Sequence, residues 1–125
     1  MSDYLFELWV PAFISTILIE TPIVALFIRQ RLSIVAALAL GVALQAVTHP
    51  IFWLSWDALE AWPYDNYGLA LGLFESTIVL VEAGLIWLAL PARRSWQRLP
   101  NVGLALLASL VANTTSVVVG MLHHG

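Results

Sequence analysis

Four long apolar stretches, separated by short polar connections, limit the fold of this chain more than any other feature of its sequence. They cover residues 5–28, 32–55, 67–90 and 102–122. A helix needs about 20 mostly apolar residues to cross the hydrocarbon core of a bilayer, and strands buried in a soluble core are much shorter than these stretches. The sequence therefore predicts an all-α protein, a four-helix transmembrane bundle built from two antiparallel hairpins.

Composition agrees with this fold and excludes several kinds of site. Charged residues make up 10% of the chain, against about a quarter in soluble domains. The length of 125 residues fits one integral membrane domain without a separate soluble module. Cysteine is absent, which excludes disulfide bonds, thiolate ligands and cysteine nucleophiles. Without a basic nucleic-acid patch, the expected partners are the lipid bilayer and either further copies of the chain or other membrane subunits.

The positions of the arginines predict the orientation. The chain has no lysine, and its five arginines fall only in the connections 29–31 and 91–101. Both connections lie at the same end of the bundle, and the excess of basic residues in cytoplasmic loops places that end in the cytoplasm. Both termini and the acidic connection 56–66 are then extracytoplasmic. The location we expect is the bacterial cytoplasmic membrane.

Tryptophans near the ends of the predicted spans are typical of the two membrane interfaces. We assign Trp9, Trp53, Trp56 and Trp62 to an outer belt, and Trp87 and Trp96 to the inner side.

Polar residues inside the predicted spans are the candidate functional site. An ionisable group costs at least about 2.5 kcal/mol at the centre of a bilayer, so such groups face the bundle interior or a wet cavity. Helical spacing supports this position, because each of these residues lies on a stripe of polar or small residues at steps of three and four. We expect the stripes to converge on the bundle axis and to form a proton or ion path from Glu20, Gln45, His49, Glu75, Glu82 and Asn113.

Counting along the helices at about 1.5 Å per residue places the ionisable groups at two depths. Glu20 and Glu82 share a level near the membrane centre, and we expect them to face each other. Because two bare charges at that depth would be very costly, they should hold at least one proton between them at neutral pH. Glu75 and His49 share a level nearer the outer side, where we expect them within hydrogen-bonding or one-water distance.

Short motifs in all the predicted spans resemble those of a group of small four-span bacterial membrane proteins that are usually left as uncharacterised. The motifs are Glu20-Thr21-Pro22, Thr48-His49-Pro50, Glu75 with Glu82 a heptad later, and Asn113 followed by Ser116. The resemblance implies the four-span fold and no particular activity. Intramembrane CAAX-type proteases pair adjacent glutamates, and small multidrug transporters share little beyond a glutamate in the first span, so both resemble this chain less.

Three functions are compatible with these residues. The first is a proton- or cation-coupled transporter or channel, which would use the buried polar residues as its path. The second is an accessory or structural subunit of a larger membrane complex, in which the same residues hold helices together. The third is an intramembrane metal-dependent hydrolase, for which His49 and Glu75 are the candidate ligands. We assign no catalytic residue and no cofactor, apart from a metal ion under the third function. Whether the protein is an enzyme stays open at this point, and the residues favour one that is not.

Overall fold

The chain folds into long helices that run antiparallel along one another. The computed structural model describes residues 3–55, 58, 61, 63–92 and 98–124. Within these residues there is no strand, and a short 3-10 helix at Tyr64–Asn66 precedes the third long helix. The long helices are α1 (Asp3–Ile28), α2 (Ile34–Leu54), α3 (Tyr67–Ala89) and α4 (Arg98–His124). Each is long and apolar enough to cross a membrane, which confirms the predicted all-α four-helix transmembrane fold.

Several residues on which the predicted orientation depends lie outside the described residues. They are Arg93 and Arg94, Asp57 and Glu60, and the tryptophans Trp56, Trp62 and Trp96. The extracytoplasmic position of the termini therefore stays a prediction. We call the end of the bundle with the start of α1 and the end of α4 the terminal end. The opposite end, which holds Arg29, Arg31 and Arg98, is the arginine end.

Local sequence explains where the helices begin and end. The side-chain oxygen of Ser33 accepts a hydrogen bond from the backbone N–H of Ala36 at 3.2 Å and so caps α2. The described part of α4 starts at Arg98, before the predicted residue 102, so Asn101 lies inside the helix. Pro100 is tolerated there because the first backbone N–H groups of a helix have no intrahelical partner.

The helices pack as two hairpins joined through α1 and α4. Helix α1 packs along α2, α3 packs along α4, and α1 packs against α4, whereas α2 and α3 touch over a much shorter length. The outer surface carries exposed leucine, isoleucine and valine side chains on every helix, among them Leu18, Val35, Leu88 and Leu110. An apolar surface of this extent fits contact with lipid rather than with water.

A dry apolar core fills the half of the bundle next to the arginine end. Its side chains include Ile28, Ala37, Ile86 and Ala108, one from each long helix and each 0% exposed. Small alanines on α4 let its neighbours approach closely. Among the described apolar residues that are fully buried, only Ala70 lies well inside the terminal half. The terminal half is therefore packed differently. Most of the buried polar residues lie where the two halves meet and beyond, and Asn101, which is 1% exposed, is buried near the arginine end.

Gly41 sets the distance between α1 and α2. A Cβ atom at this position would lie 2.9 Å from Cγ2 and 3.0 Å from Cα of Thr21, which is closer than carbon atoms pack without repulsion. Because the Cα atom belongs to the backbone, a methyl group would force the two helices apart. We expect Gly41→Ala to lower the free energy of unfolding in detergent by about 1–3 kcal/mol, the usual cost of overpacking, as measured by denaturant titration.

Gly72→Ala is the matched control for this substitution. A Cβ atom at position 72 meets nothing within 4 Å, and alanine is the better helix former. The control should therefore be neutral or stabilising, and an equal loss in both variants would contradict the close approach at Gly41.

Candidate functional site

A polar cavity of about 180 Å³ lies in the terminal half of the bundle, directly beyond the dry core. Each of the helices α1 to α4 contributes to its wall. Its volume has room for several water molecules, and its polar groups offer them hydrogen-bond partners. The structure brings all the site residues predicted from the sequence to this one cavity: Glu20, Gln45, His49, Glu75, Glu82 and Asn113.

Glu82 is the centre of a hydrogen-bond network at the inner end of the cavity. Its Oε1 accepts from Thr48 Oγ1 at 2.8 Å and from Gln45 Nε2 at 3.3 Å. Its Oε2 accepts from Asn113 Nδ2 at 2.6 Å, and the Ser109 hydroxyl oxygen lies 3.4 Å from the same atom. The side chain is 1% exposed. A carboxyl group buried this deeply needs hydrogen bonds to both oxygens, and helices α2 and α4 supply them.

Glu20 joins this network through Gln45. The Gln45 amide nitrogen donates to Glu20 Oε2 at 2.6 Å and to Glu82 Oε1 at 3.3 Å. One amide group of α2 thus bridges two carboxyl groups, one from α1 and one from α3. Glu20 is 3% exposed, and no lysine or arginine is among the described residues that line the cavity. The structure thereby brings together the two glutamates that the sequence placed at one level.

The orientation of the Asn113 amide is set by its own helix. Its Nδ2 lies 3.0 Å from the backbone oxygen of Ser109, which can only accept a hydrogen bond. The nitrogen of the amide, and not its oxygen, must therefore be on the side that faces Glu82. Ser109 in turn donates to the backbone oxygen of Val79 at 2.9 Å and so ties α4 to α3.

His49 lies towards the terminal end of the cavity, among aromatic rings. Its ring centroid is 5.2 Å from that of Phe13, 6.2 Å from that of Trp9 and 6.3 Å from that of Trp53. Nε2 lies 3.4 Å from Thr16 Oγ1, and Nδ1 is buried without a hydrogen-bond partner in the described part of the chain. Trp9 and Trp53, which we assigned to an interfacial belt, therefore also form the packing around this imidazole.

Glu75 lines the same cavity from α3, and its side chain is half-buried. The sequence predicted that it approaches His49, and both side chains do line the cavity, although the described hydrogen bond of His49 goes to Thr16 instead. No group of three or more histidine, aspartate or glutamate side chains among the described residues is arranged to hold a metal ion. A metal site at His49 and Glu75 would thus need ligands from elsewhere.

Two further residues place hydroxyl groups within 3.4 Å of the Glu82 carboxyl oxygens, although they were not among the predicted site residues. They are Thr48 and Ser109. Thr48 lies three residues after Gln45, and Ser109 lies four residues before Asn113, so each shares a helix face with a predicted residue. The polar stripes from which Gln45 and Asn113 were predicted as site residues therefore also contain these two hydroxyl groups.

A larger, mostly apolar groove of about 610 Å³ runs between α1 and α4 beside the polar cavity. The two spaces share the side chains of Ala12, Thr16, Trp53 and Ser116 in their walls. The polar cavity therefore adjoins the groove along the seam between α1 and α4.

No protein-family model, curated protein or solved structure matches this chain. The motifs shared with small four-span bacterial proteins remain a resemblance, and the site has to be interpreted from its own chemistry. That chemistry belongs to a small membrane protein with carboxyl groups buried between its helices.

Proposed function

We propose that this protein is a small proton-coupled transporter or channel whose path runs along the polar cavity. The observation that carries the proposal is the Gln45 amide that bridges Glu20 and Glu82 at the inner end of the cavity. Taking two carboxylate charges out of water costs several kcal/mol each, after relaxation, unless they are compensated. Since no basic side chain is described at the bridge, a proton held by this pair is the simplest compensation.

The remaining ionisable groups of the cavity extend the path towards the terminal end. Glu75 lies about 10.5 Å from Glu82 along α3, on the rise of an α-helix. His49 carries an unpaired ring nitrogen in the same region. Water in the cavity can therefore link these groups to the glutamate pair. With the arginine end in the cytoplasm of a bacterial cell, the cavity would take up protons or a coupled cation from the outside.

Flux into liposomes tests this function. The purified protein is reconstituted with a trapped pH-sensitive dye, and a potassium gradient with valinomycin drives proton entry. We expect faster internal acidification than in protein-free liposomes, and a loss of roughly 100-fold in Glu20→Gln/Glu82→Gln, since an amide cannot take up the proton. The valinomycin-driven gradient is then replaced by a gradient of sodium, potassium or an organic cation. The cation whose gradient changes the internal pH is the coupled ion.

Glu7→Gln is the matched control, because Glu7 is an exposed carboxyl group on α1 and is not among the residues described as lining the cavity. Its flux should equal that of the unmodified protein. Unchanged flux in the folded double variant would contradict the proposal, as would an unmodified protein that moves none of these ions.

A structural subunit is the second candidate, and one observation favours it. The network around Glu82 ties α2, α3 and α4 together, which is also what a packing device would do. If this is the function, Glu20→Gln/Glu82→Gln and the unmodified protein give the same rate of internal acidification in the flux assay. A membrane partner should also be retained in stoichiometric amount during purification in mild detergent. A metal-dependent hydrolase has no comparable support among the described residues.

A further inference from the structure

We infer that the groove between α1 and α4, together with the polar cavity beside it, binds an organic cation with an apolar body. The apolar body lies in the groove, and the charged group lies where the groove joins the cavity. The inference rests on the proposed function, because it names the class of substrate that the same path would carry. Binding alone tests it, without any flux measurement.

The groove has the size and the surface of a site for an apolar molecule. Its volume of about 610 Å³ lies within the range of about 300–1,000 Å³ that is usual for small-molecule sites. Leu8, Pro11 and Ser15 line it from α1 and are exposed on the outer surface of the bundle. On α4, a Cβ atom at Gly120 would meet nothing within 4 Å. Since no charged side chain is among its described lining residues, a molecule dissolved in the membrane can enter the groove from the side.

Two hydroxyl side chains connect the groove to the buried carboxyl groups. Thr16 and Ser116 line both the groove and the polar cavity. Thr16 lies four residues before Glu20 on α1 and therefore on the same helix face, and Ser116 lies beside Glu20 from α4. A molecule in the groove thus has its inner end next to a buried carboxyl group.

The charges at this junction select for a cation. The described lining of the cavity contains the carboxyl groups of Glu20, Glu75 and Glu82 and neither lysine nor arginine. An anion would be repelled by these groups, and a neutral molecule would gain no attraction from them. A cation can compensate their charge in place of a proton. Trp53 also lines both spaces, and the face of an indole ring attracts organic cations.

The apolar groove distinguishes an organic cation from an inorganic ion and from a bilayer lipid. A divalent metal ion needs several oxygen ligands at about 2.0–2.6 Å, and no cluster of three or more ligand side chains is present among the described residues. Such an ion would also make no use of the groove. A phospholipid can place an acyl chain there, but its phosphate would then meet carboxyl groups at the junction.

Equilibrium dialysis with a series of matched ligands tests the inference on the unmodified protein. Tritiated phenylbutyl-trimethylammonium is dialysed against the protein in lipid nanodiscs, and its retention by empty nanodiscs is subtracted. We expect saturable binding. The unlabelled competitors are the isostere with a tert-butyl group in place of trimethylammonium, phenylbutane sulfonate, and tetramethylammonium. They test the charge, its sign and the apolar body, and each should compete at least about tenfold more weakly than the unlabelled cation itself.

A variant that fills the groove tests where the apolar body lies. Gly120 lines the groove and is not among the described residues of the polar cavity, so Gly120→Phe should weaken binding by about tenfold or more. Gly103→Phe is the matched control. Gly103 is exposed on the same helix, its Cβ atom would also meet nothing within 4 Å, and it is not described in either space. Its affinity should equal that of the unmodified protein.

The carboxyl groups are tested in the same assay. Glu20→Gln/Glu82→Gln removes two of the three carboxyl groups described in the cavity and should weaken binding at least as much as Gly120→Phe. Glu7→Gln, on the exposed surface of α1, should leave the affinity unchanged.

Failure of saturable binding to the unmodified protein would overturn the inference, as would equal competition by any of the three competitors. These results do not depend on the folding of a variant. Unchanged affinity in folded Gly120→Phe or in the folded double variant would contradict it as well. The proposed function fails separately, because binding without any flux contradicts only transport. Proton flux without binding of the cation contradicts only this class of substrate.

Discussion

Phenylalanine in place of Ala12 is expected to stop flux along the polar cavity although it removes no ionisable group. Ala12 is half-buried on α1 and lines both the cavity and the groove beside it. A benzyl group would occupy much of the roughly 180 Å³ of open space, and water would lose its route to Glu20. We expect the rate of liposome acidification to fall close to that of protein-free liposomes. The cost in stability should stay within the usual range of overpacking, about 1–3 kcal/mol.

Ala46→Phe is the matched control for the blocked cavity. Ala46 is exposed on α2 and is not among the described cavity residues, so the same bulk is added on the lipid side and flux should be unchanged. Val117→Phe narrows the cavity from α4 and should act as Ala12→Phe does. Full flux in both folded cavity variants would show that the path does not use this space.

Leucine in place of Asn113 is expected to destabilise the bundle by about 1–3 kcal/mol. The substitution removes the 2.6 Å hydrogen bond to Glu82, and leaving a buried acceptor without its partner costs about 1–3 kcal/mol. Hydrogen bonds between membrane helices average only about 0.6 kcal/mol, but here the acceptor is a carboxyl group that is 1% exposed. The free energy of unfolding in detergent measures the loss. Thr114→Leu changes the exposed neighbouring residue and should be neutral or stabilising.

A double-mutant cycle separates the contribution of the Asn113–Glu82 hydrogen bond to the free energy of unfolding from that of general packing. With leucine already at position 82, Asn113→Leu should cost little, because the acceptor is gone. The same cost in both backgrounds would mean that Asn113 acts through packing and not through Glu82.

The fold and the set of residues at the cavity could be predicted because membrane physics constrains both strongly. Apolar stretches of 20 or so residues have few alternatives to spanning helices. The cost of exposing glutamate to lipid directs Glu20, Glu75 and Glu82 towards the interior, whatever the details of packing.

The bonding pattern within the cavity could not be predicted, because it depends on rotations and distances that helical periodicity does not contain. Gln45 has partners on two other helices, and the stripes alone did not show that it lies between them. Trp53 lies near the end of a span, a position that suits an interfacial belt as well as packing against His49. Helix α4 includes residues before the predicted start at residue 102, and Pro100 is compatible with this because the first backbone N–H groups of a helix have no intrahelical partner.

The unequal filling of the two halves of the bundle determines how a membrane voltage would act on this protein. A voltage falls mainly across the part of the structure that excludes water, and moving one elementary charge through it is worth about 2.3 kcal/mol per 100 mV. With water in the cavity, that part is the apolar core between Glu20 and Ile28, about 12 Å long on the helical rise. Proton exchange between Glu20 and the cavity should then be almost independent of voltage. Any step that carries the charge onward to the arginine end should be steeply voltage-dependent.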